Sequence, residues 1–337
     1  MHYKAPAWLL GGHAQTIWSA LYARSHWRPL RPLQRERWST PDGDFVDVDR
    51  HAASHASRPL VVLFHGLEGS SQSHYAKAFA DWAAEHDLNF ALPHFRGCSG
   101  ELNHAPRAYH SGDYQEVDWI LQKFRQAHQN QGGQVVVAAG VSLGGNALMR
   151  WTAEQGAQAS VKADAVASIC SPLDLMASGR AIGEGFNRQV YTRMFLRSMK
   201  PKALAKWAQH PGLFDKQRLM AARDLYEFDN VFTAPLHGFQ STDDYWTRAS
   251  AKPLMQYIAI PALALNALND PFVPAQSLPQ GKDVSSSVTL WQPAHGGHVG
   301  FAQGAWPGHV RGLPDAVGGW LLQAAGFTPE KQKSAHG

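Results

Sequence analysis

Gln134-Val135-Val136-Val137-Ala138-Ala139-Gly140-Val141-Ser142-Leu143-Gly144-Gly145-Asn146 is the stretch on which the fold turns. An apolar run enters a G-x-S-x-G pentapeptide, and a helix-compatible run, Asn146 to Gln155, leaves it. Strand, glycine-flanked serine, helix is the context of a nucleophile elbow. A serine on such a turn exposes its hydroxyl, and the backbone there leaves no room for large neighbours. Gly140 and Gly144 relieve that crowding and tolerate backbone angles that other residues resist. The helix that follows points its N-terminal amides at the serine, where they favour developing negative charge.

Outward from the elbow, strand-like and helix-like segments alternate. Residues 35–50 read as a β-hairpin, with Pro41-Asp42-Gly43 as the turn. Leu60 to Phe64 is an unbroken apolar run, as in a strand covered on both faces. Tyr75 to Glu85 reads as a helix, Asn89 to Pro93 as a strand, and Gly112 to His128 as an amphipathic helix carrying Val117, Ile120, Leu121 and Phe124. Further strands are expected at Ala163–Cys170, Ile258–Leu268 and Ser286–Trp291, with a closing helix from Gly312 to Ala325. Strands separated by helix-length segments predict an α/β architecture, a mostly parallel central sheet with helices on both faces.

The pattern changes between Asp174 and Pro253, which is rich in Arg, Phe, Tyr and Trp and has no clear strand. The expected organisation is a core part over 1–173, a helical cap insertion over 174–256, a second core part over 257–327, and a frayed tail over 328–337.

Composition narrows the function classes. The chain has 337 residues, 44% of them hydrophobic, and a formal charge of +4 that leaves out eighteen histidines. One large domain with an insertion suits that length. No block of five or more Lys/Arg occurs, so the basic balance does not argue for nucleic acid. Arg24, Arg28, Arg31, Arg35 and Arg37 cluster near the N-terminus and read as solvated surface rather than a membrane patch. The two cysteines, Cys98 and Cys170, form no C-x-x-C pair, which fits a reducing compartment. Cys98 falls in a predicted loop and reads as a small buried filler. The N-terminus lacks a signal-peptide core, and no run approaches the ~18 apolar residues of a membrane span. A soluble cytoplasmic protein is expected, with peripheral membrane contact left open and the oligomeric state not indicated.

A nucleophilic serine needs a base, an acid to orient it, and an oxyanion hole. Asp270 fits the acid, standing after the apolar run Leu263 to Leu268; Asp283 has no strand immediately before it. The base should follow the last strand, where His295-Gly296-Gly297-His298 offers two candidates. His298 is preferred, because the glycine pair lets the loop swing its ring toward the elbow, and His295 is assigned to structuring that loop. No carboxylate-rich partner pattern supports a metal at these histidines. The oxyanion hole is expected from the amides of Leu143 and Leu67, with Gly66 allowing close approach and His65 fixing the loop by hydrogen bonds. Arg96 either braces the site, binds a polar head group or forms a structural salt bridge. Phe186, Tyr191, Phe195, Trp207 and Trp246 are candidates for an apolar acyl pocket, or for the packing of the cap.

Several segments carry a family resemblance. They are Gly11-Gly-His-Ala-Gln-Thr16, His65-Gly-Leu-Glu-Gly-Ser70, His94-Phe-Arg-Gly-Cys-Ser-Gly100, Tyr109-His-Ser-Gly112, Gly140 to Asn146, Glu227-Phe-Asp229, Asn269-Asp-Pro-Phe272 and His295 to Phe301. Together they span nearly the whole chain, which resembles the YheT-type branch of the α/β-hydrolases. That branch also includes membrane-anchored lipases and alcohol acyltransferases. The resemblance implies Ser142, Asp270 and His298 as the charge-relay set, an α/β-hydrolase fold, and hydrolysis of short-chain esters or acylglycerols without a cofactor. An acyltransferase or thioesterase with the same triad, and a non-catalytic binding protein on the same fold, are the alternatives. The implied partner is a small ester or lipid, not nucleic acid.

Overall fold

The structure, a computed structural model, describes residues 2–27 and 29–327. Arg28 and the tail 328–337 lie outside the described residues.

Strands β1 (Gln34–Ser39), β2 (Phe45–His51), β3 (Leu60–Phe64), β4 (Asn89–Pro93), β5 (Val136–Val141), β6 (Ala165–Ile169), β7 (Ala262–Leu265) and β8 (Val288–Trp291) make one sheet. Its order is β1-β2-β4-β3-β5-β6-β7-β8. The β1–β2 and β2–β4 pairs are antiparallel and the remaining pairs are parallel. The apolar run of β3 has a physical reason. Val62 and Phe64 join one buried cluster, and Val61 and Leu63 join the cluster on the opposite face. Because side chains alternate across a strand, a run buried on both sides must be apolar at every position.

Helices α2 (His74–Glu85), α3 (Tyr114–Asn130) and α4 (Leu143–Gln155) sandwich the sheet with the closing helix Gly312–Ala324. Val117, Ile120, Leu121 and Phe124 of α3 pack with Leu148 and Trp151 of α4 on one face. Phe79 and Trp82 of α2 pack with Val317 and Leu321 of the closing helix on the other. Between β6 and β7 the described chain is helical and holds no strand, starting with α5 (Leu175–Ile182) and ending in the turn Lys252–Tyr257.

Three details depart from the sequence reading. The strand expected over Ile258–Leu268 is confined to Ala262–Leu265. Pro261, which has no amide hydrogen to give, precedes its first residue. The strand expected to end at Cys170 stops at Ile169, because Cys170 takes a positive φ of 50°. A helix not anticipated, α1 (Gly12–Leu21), lies before the sheet. It buries Gln15, Thr16 and Ser19, so hydrophobic periodicity does not announce it. Of the basic N-terminal residues, Arg35 and Arg37 are exposed and also form ion pairs. Arg35 pairs with Asp49, and Arg37 with Asp47 and Glu101, across the hairpin edge.

Candidate active site

Ser142 sits between β5 and α4 with φ of 52° and ψ of −118°. A non-glycine residue there costs about 1–3 kcal/mol, which surrounding packing must offset. Its neighbours lock it in place. The Ser142 amide donates to the Ile169 carbonyl at 2.8 Å, and the Ser142 carbonyl accepts from Gly145 and Asn146 at 3.0 and 3.1 Å. A Cβ on Gly144 would strike the carbonyl oxygens of His65 and Phe64, so only glycine lets the elbow approach the end of β3. We expect Gly144→Ala to destabilise the fold by about 3 kcal/mol or more, since the obstacle is backbone that cannot rotate away. A urea midpoint equal to that of the wild type would contradict this.

Chain segments more than a hundred residues apart meet at this serine. His298 Nε2 lies 3.1 Å from Ser142 Oγ, and His298 Nδ1 lies 2.9 Å from Asp270 Oδ2. The Asp270 carboxylate has no exposed surface, and its Oδ1 accepts from the Phe272 and Val273 amides at 2.8 and 3.3 Å. The ring of Phe272 lies against that of His298, with centroids 4.2 Å apart. With Asp270 Oδ2 as acceptor, the proton of neutral His298 is held on Nδ1. Nε2 is then left as an acceptor facing the hydroxyl.

The loop carrying His298 is held from the N-terminal side of the chain, a part the sequence reading gave no role. The Thr16 hydroxyl accepts from the His298 amide at 2.8 Å and itself donates to the Gly12 carbonyl at 2.7 Å. Gln15 Oε1 accepts from the Gly296 amide at 2.8 Å and from Asn269 Nδ2 at 2.9 Å. Asn269 Oδ1 accepts from the Gly297 amide at 3.0 Å. Helix α1 thus ties the loop of His298 to the loop of Asp270. The early Gly11 to Thr16 segment of the family resemblance was the signal. Thr16→Val keeps the shape but leaves the His298 amide without its partner, so we expect a loss of about 1–3 kcal/mol in stability. The same variant should lower turnover more than substrate affinity, which steady-state kinetics will separate.

Two backbone amides beside the serine are left without an acceptor among the described residues. Among the described residues, neither the Leu143 nor the Leu67 amide donates a hydrogen bond, and both residues line the cavity that Ser142 and His298 enter. The loop bearing Leu67 is pinned on either side. The Gly66 amide donates to the Tyr75 hydroxyl at 2.9 Å, and the Glu68 amide to the Tyr109 hydroxyl at 3.0 Å. His65 is fully buried; its Nε2 accepts from the Phe95 amide at 3.0 Å, so Nδ1 carries the proton and donates to the Gly66 carbonyl at 2.7 Å. Burial pushes its pKa down to about 3. This neutral ring shapes the loop and stands apart from the proton path. The unfolded chain would protonate His65 near pH 6.5, so its contribution to stability is complete above that pH and declines as pH falls toward 3. The expected loss at pH 5 is about 2 kcal/mol, to be read from thermal midpoints between pH 7 and 5.

The cavity runs from Ser142 between the core and the helices that follow β6. Leu175, Ile182, Phe195, Phe228, Phe232 and Trp246 give it apolar walls. Of the five aromatics expected there, Phe195 and Trp246 line it. Phe186 is exposed, Tyr191 packs on Phe272, and Trp207 lies under Lys216. Phe228, Phe232, Tyr245 and Tyr109 were not singled out for the pocket, although Phe228 and Tyr109 stand in segments of the family resemblance.

Arg96 is held by three carboxylates. It bonds Glu116 at 2.6 Å, Asp42 at 2.7 Å and Asp44 at 2.9 Å, which is the structural ion-pair alternative. His295 is exposed, with Nδ1 3.4 Å from Asn269 Nδ2. Cys98 is buried, and burial pushes its thiol up to about 12, the state of an inert filler. Among the described residues, no group of three or more His, Cys, Asp or Glu is placed to hold a metal ion, and no helix is long and apolar enough to cross a membrane.

Comparison with known proteins shows the family and the fold. Residues 59–305 match a protein family described as alpha/beta hydrolase fold. The chain is 35% identical over 318 residues to "Putative esterase YheT" of Escherichia coli (strain K12), covering 92% of this chain and 89% of that protein. It is 26% identical over 317 residues to "Phospholipase ABHD3" of Bos taurus, covering 90% of this chain and 74% of that one. In fold it is similar to the Pyrococcus furiosus esterase PF2001, with a TM-score of 0.52 and 15% identity, covering 89% of this chain and 93% of that one.

Proposed function

The chain belongs to the alpha/beta hydrolase family, and from that premise we propose that it is an enzyme that hydrolyses carboxylic esters through an acyl-serine intermediate. The observation that carries the reading is the relay from Ser142 Oγ to His298 Nε2 at 3.1 Å and from His298 Nδ1 to Asp270 Oδ2 at 2.9 Å. It stands beside two unengaged amides at the wall of an apolar cavity. The esterase and phospholipase names of the relatives support the same class of reaction.

Each group has a task. Ser142 Oγ attacks the ester carbonyl carbon while His298 Nε2 takes its proton. The imidazolium that results faces the Asp270 carboxylate, which holds the ring and offsets its charge. The tetrahedral oxyanion is received by the Leu67 and Leu143 amides, one at the N-terminus of α4 and one on the loop braced by His65. A single donor of this kind is worth ~10²–10³ in turnover. His298 returns the proton to the departing alkoxide, the acyl group stays on Ser142, and water attacks it with His298 again as base. The triad needs no cofactor. Apolar walls suit an acyl chain, so short-chain esters or acylglycerols are the proposed substrates.

The test is hydrolysis of p-nitrophenyl esters from acetyl to palmitoyl, with and without an added alcohol. Release of free acid across the series supports the reading, and the preferred chain length separates esterase from lipase. A transesterified product that dominates with alcohol present would make the chain an acyltransferase. No turnover on any ester by the folded protein would overturn the proposal.

A further inference from the structure

Several ionisable groups of the cavity have no part in the relay, and one of them is a carboxylate with no ion pair among the described residues. Asp229, in the Glu227-Phe-Asp229 segment, lines the cavity that Ser142 enters. It is set deep among protein atoms, yet it keeps partial exposure. Its Oδ1 accepts from the Thr233 hydroxyl at 2.6 Å and its Oδ2 from Trp246 Nε1 at 2.9 Å. A carboxylate offers about four lone-pair sites, so each oxygen retains one. Among the described residues no cationic side chain is paired with it, and burial pushes its carboxyl up to about 6. A carboxylate without a counter-charge is costly in an apolar setting unless something else meets it.

A second, independent group points the same way. Ser178 is 5% exposed, lines the same cavity, and its hydroxyl has no hydrogen-bond partner among the described residues. Trp246 links the segments that carry the two. Gly179, next to Ser178, lies so close to the Trp246 ring that a Cβ would collide with it, and Trp246 is the residue that bonds Asp229. Phe228, Phe232 and Tyr245 line the cavity with them. Removing water from such a site strengthens any hydrogen bond made in it.

We propose that Asp229, with Ser178 lining the same cavity, is a substrate-recognition site that binds a hydrogen-bond donor, a hydroxyl or a protonated amine, on the non-reacting part of the ester. This rests on the reading that Ser142 attacks an ester in this cavity. The apolar walls accept the carbon chain, and Asp229 selects chains that end in or carry a donor over plain alkyl ones. A hydrogen bond to a charged acceptor corresponds to ~10–100-fold in binding.

The test uses Ser142→Ala, which holds an ester without turning it over, and reads binding by calorimetry. Probes are butyrates of n-alkyl, ω-hydroxyalkyl and ω-dimethylaminoalkyl alcohols of two to eight carbons, and methyl esters carrying the same end groups on the acyl arm. The expected result is that a donor-bearing ester binds ~10–100-fold tighter than its alkyl match, and which end group does so identifies the donor. Adding Asp229→Asn removes the charged acceptor and should cut that preference about tenfold, read as the ratio of donor-bearing to alkyl affinity within the same variant. Equal or tighter binding of the alkyl esters, no binding of any donor ester, or a preference that Asp229→Asn leaves undiminished would each overturn the proposal. Should Asp229→Asn fail to fold, the three-way comparison on Ser142→Ala, repeated with Ser178→Ala, still decides it. Wild-type protein that binds these esters but does not cleave them would count against the ester-hydrolase reading alone.

Discussion

Ser142→Ala is expected to lower turnover of a p-nitrophenyl ester by ~10⁶-fold while the protein remains folded. The magnitude follows from the way a triad acts as a unit: without the nucleophile, the base and acid have nothing to activate, and only the oxyanion donors and binding remain. Structure should survive, because the Ser142 side chain caps nothing: the bonds that hold the elbow are made by its amide and carbonyl. Alanine must still adopt the positive φ, and a small side chain does so at the same modest cost as serine. The check is kcat/KM alongside the urea midpoint. Retention of more than about 1% of wild-type activity would remove Ser142 from the mechanism and with it the acyl-serine intermediate.

Asp270→Asn is expected to cost about 10⁴-fold in kcat with little change in fold. The amide keeps an oxygen for the Phe272 and Val273 amides that Asp270 Oδ1 now serves. It then turns its NH₂ toward His298 Nδ1. The ring answers by moving its proton to Nε2, where it can no longer accept from Ser142. The defect should therefore fall on kcat rather than KM, and His298→Ala should give the larger loss, ~10⁶-fold as for Ser142→Ala, with the Asp270→Asn effect not additive to it. A variant that loses only substrate affinity would make Asp270 a packing residue of the cavity wall.

Which of these features the sequence announced depends on how local their cause is. The β3 and β5 runs were legible because a strand buried on both faces must be apolar throughout, and their ends follow from the turn residues beside them. Ser142 was legible because its backbone angles require glycines at fixed offsets. Asp270 and His298 were legible as loop residues after late strands, but their distances to Ser142 are properties of sheet order. Helix α1 was not anticipated, since its buried face is Gln15, Thr16 and Ser19. Arg96 could not be assigned either, because Asp42, Asp44 and Glu116 reach it from a turn, a strand edge and a helix.

The sequence by itself determined the alternation of strand and helix, the elbow, and the residue types proposed as acid, base and oxyanion donors, because each rests on contacts within a few residues. Only the tertiary structure decided that α1 braces the His298 loop. It also decided that Arg96 is spent on three carboxylates and that, among the described residues, Asp229 stands in the cavity without a counter-charge. Those outcomes depend on which distant groups meet, and the pairing of a buried polar group is set by the packing around it rather than by its neighbours in the chain.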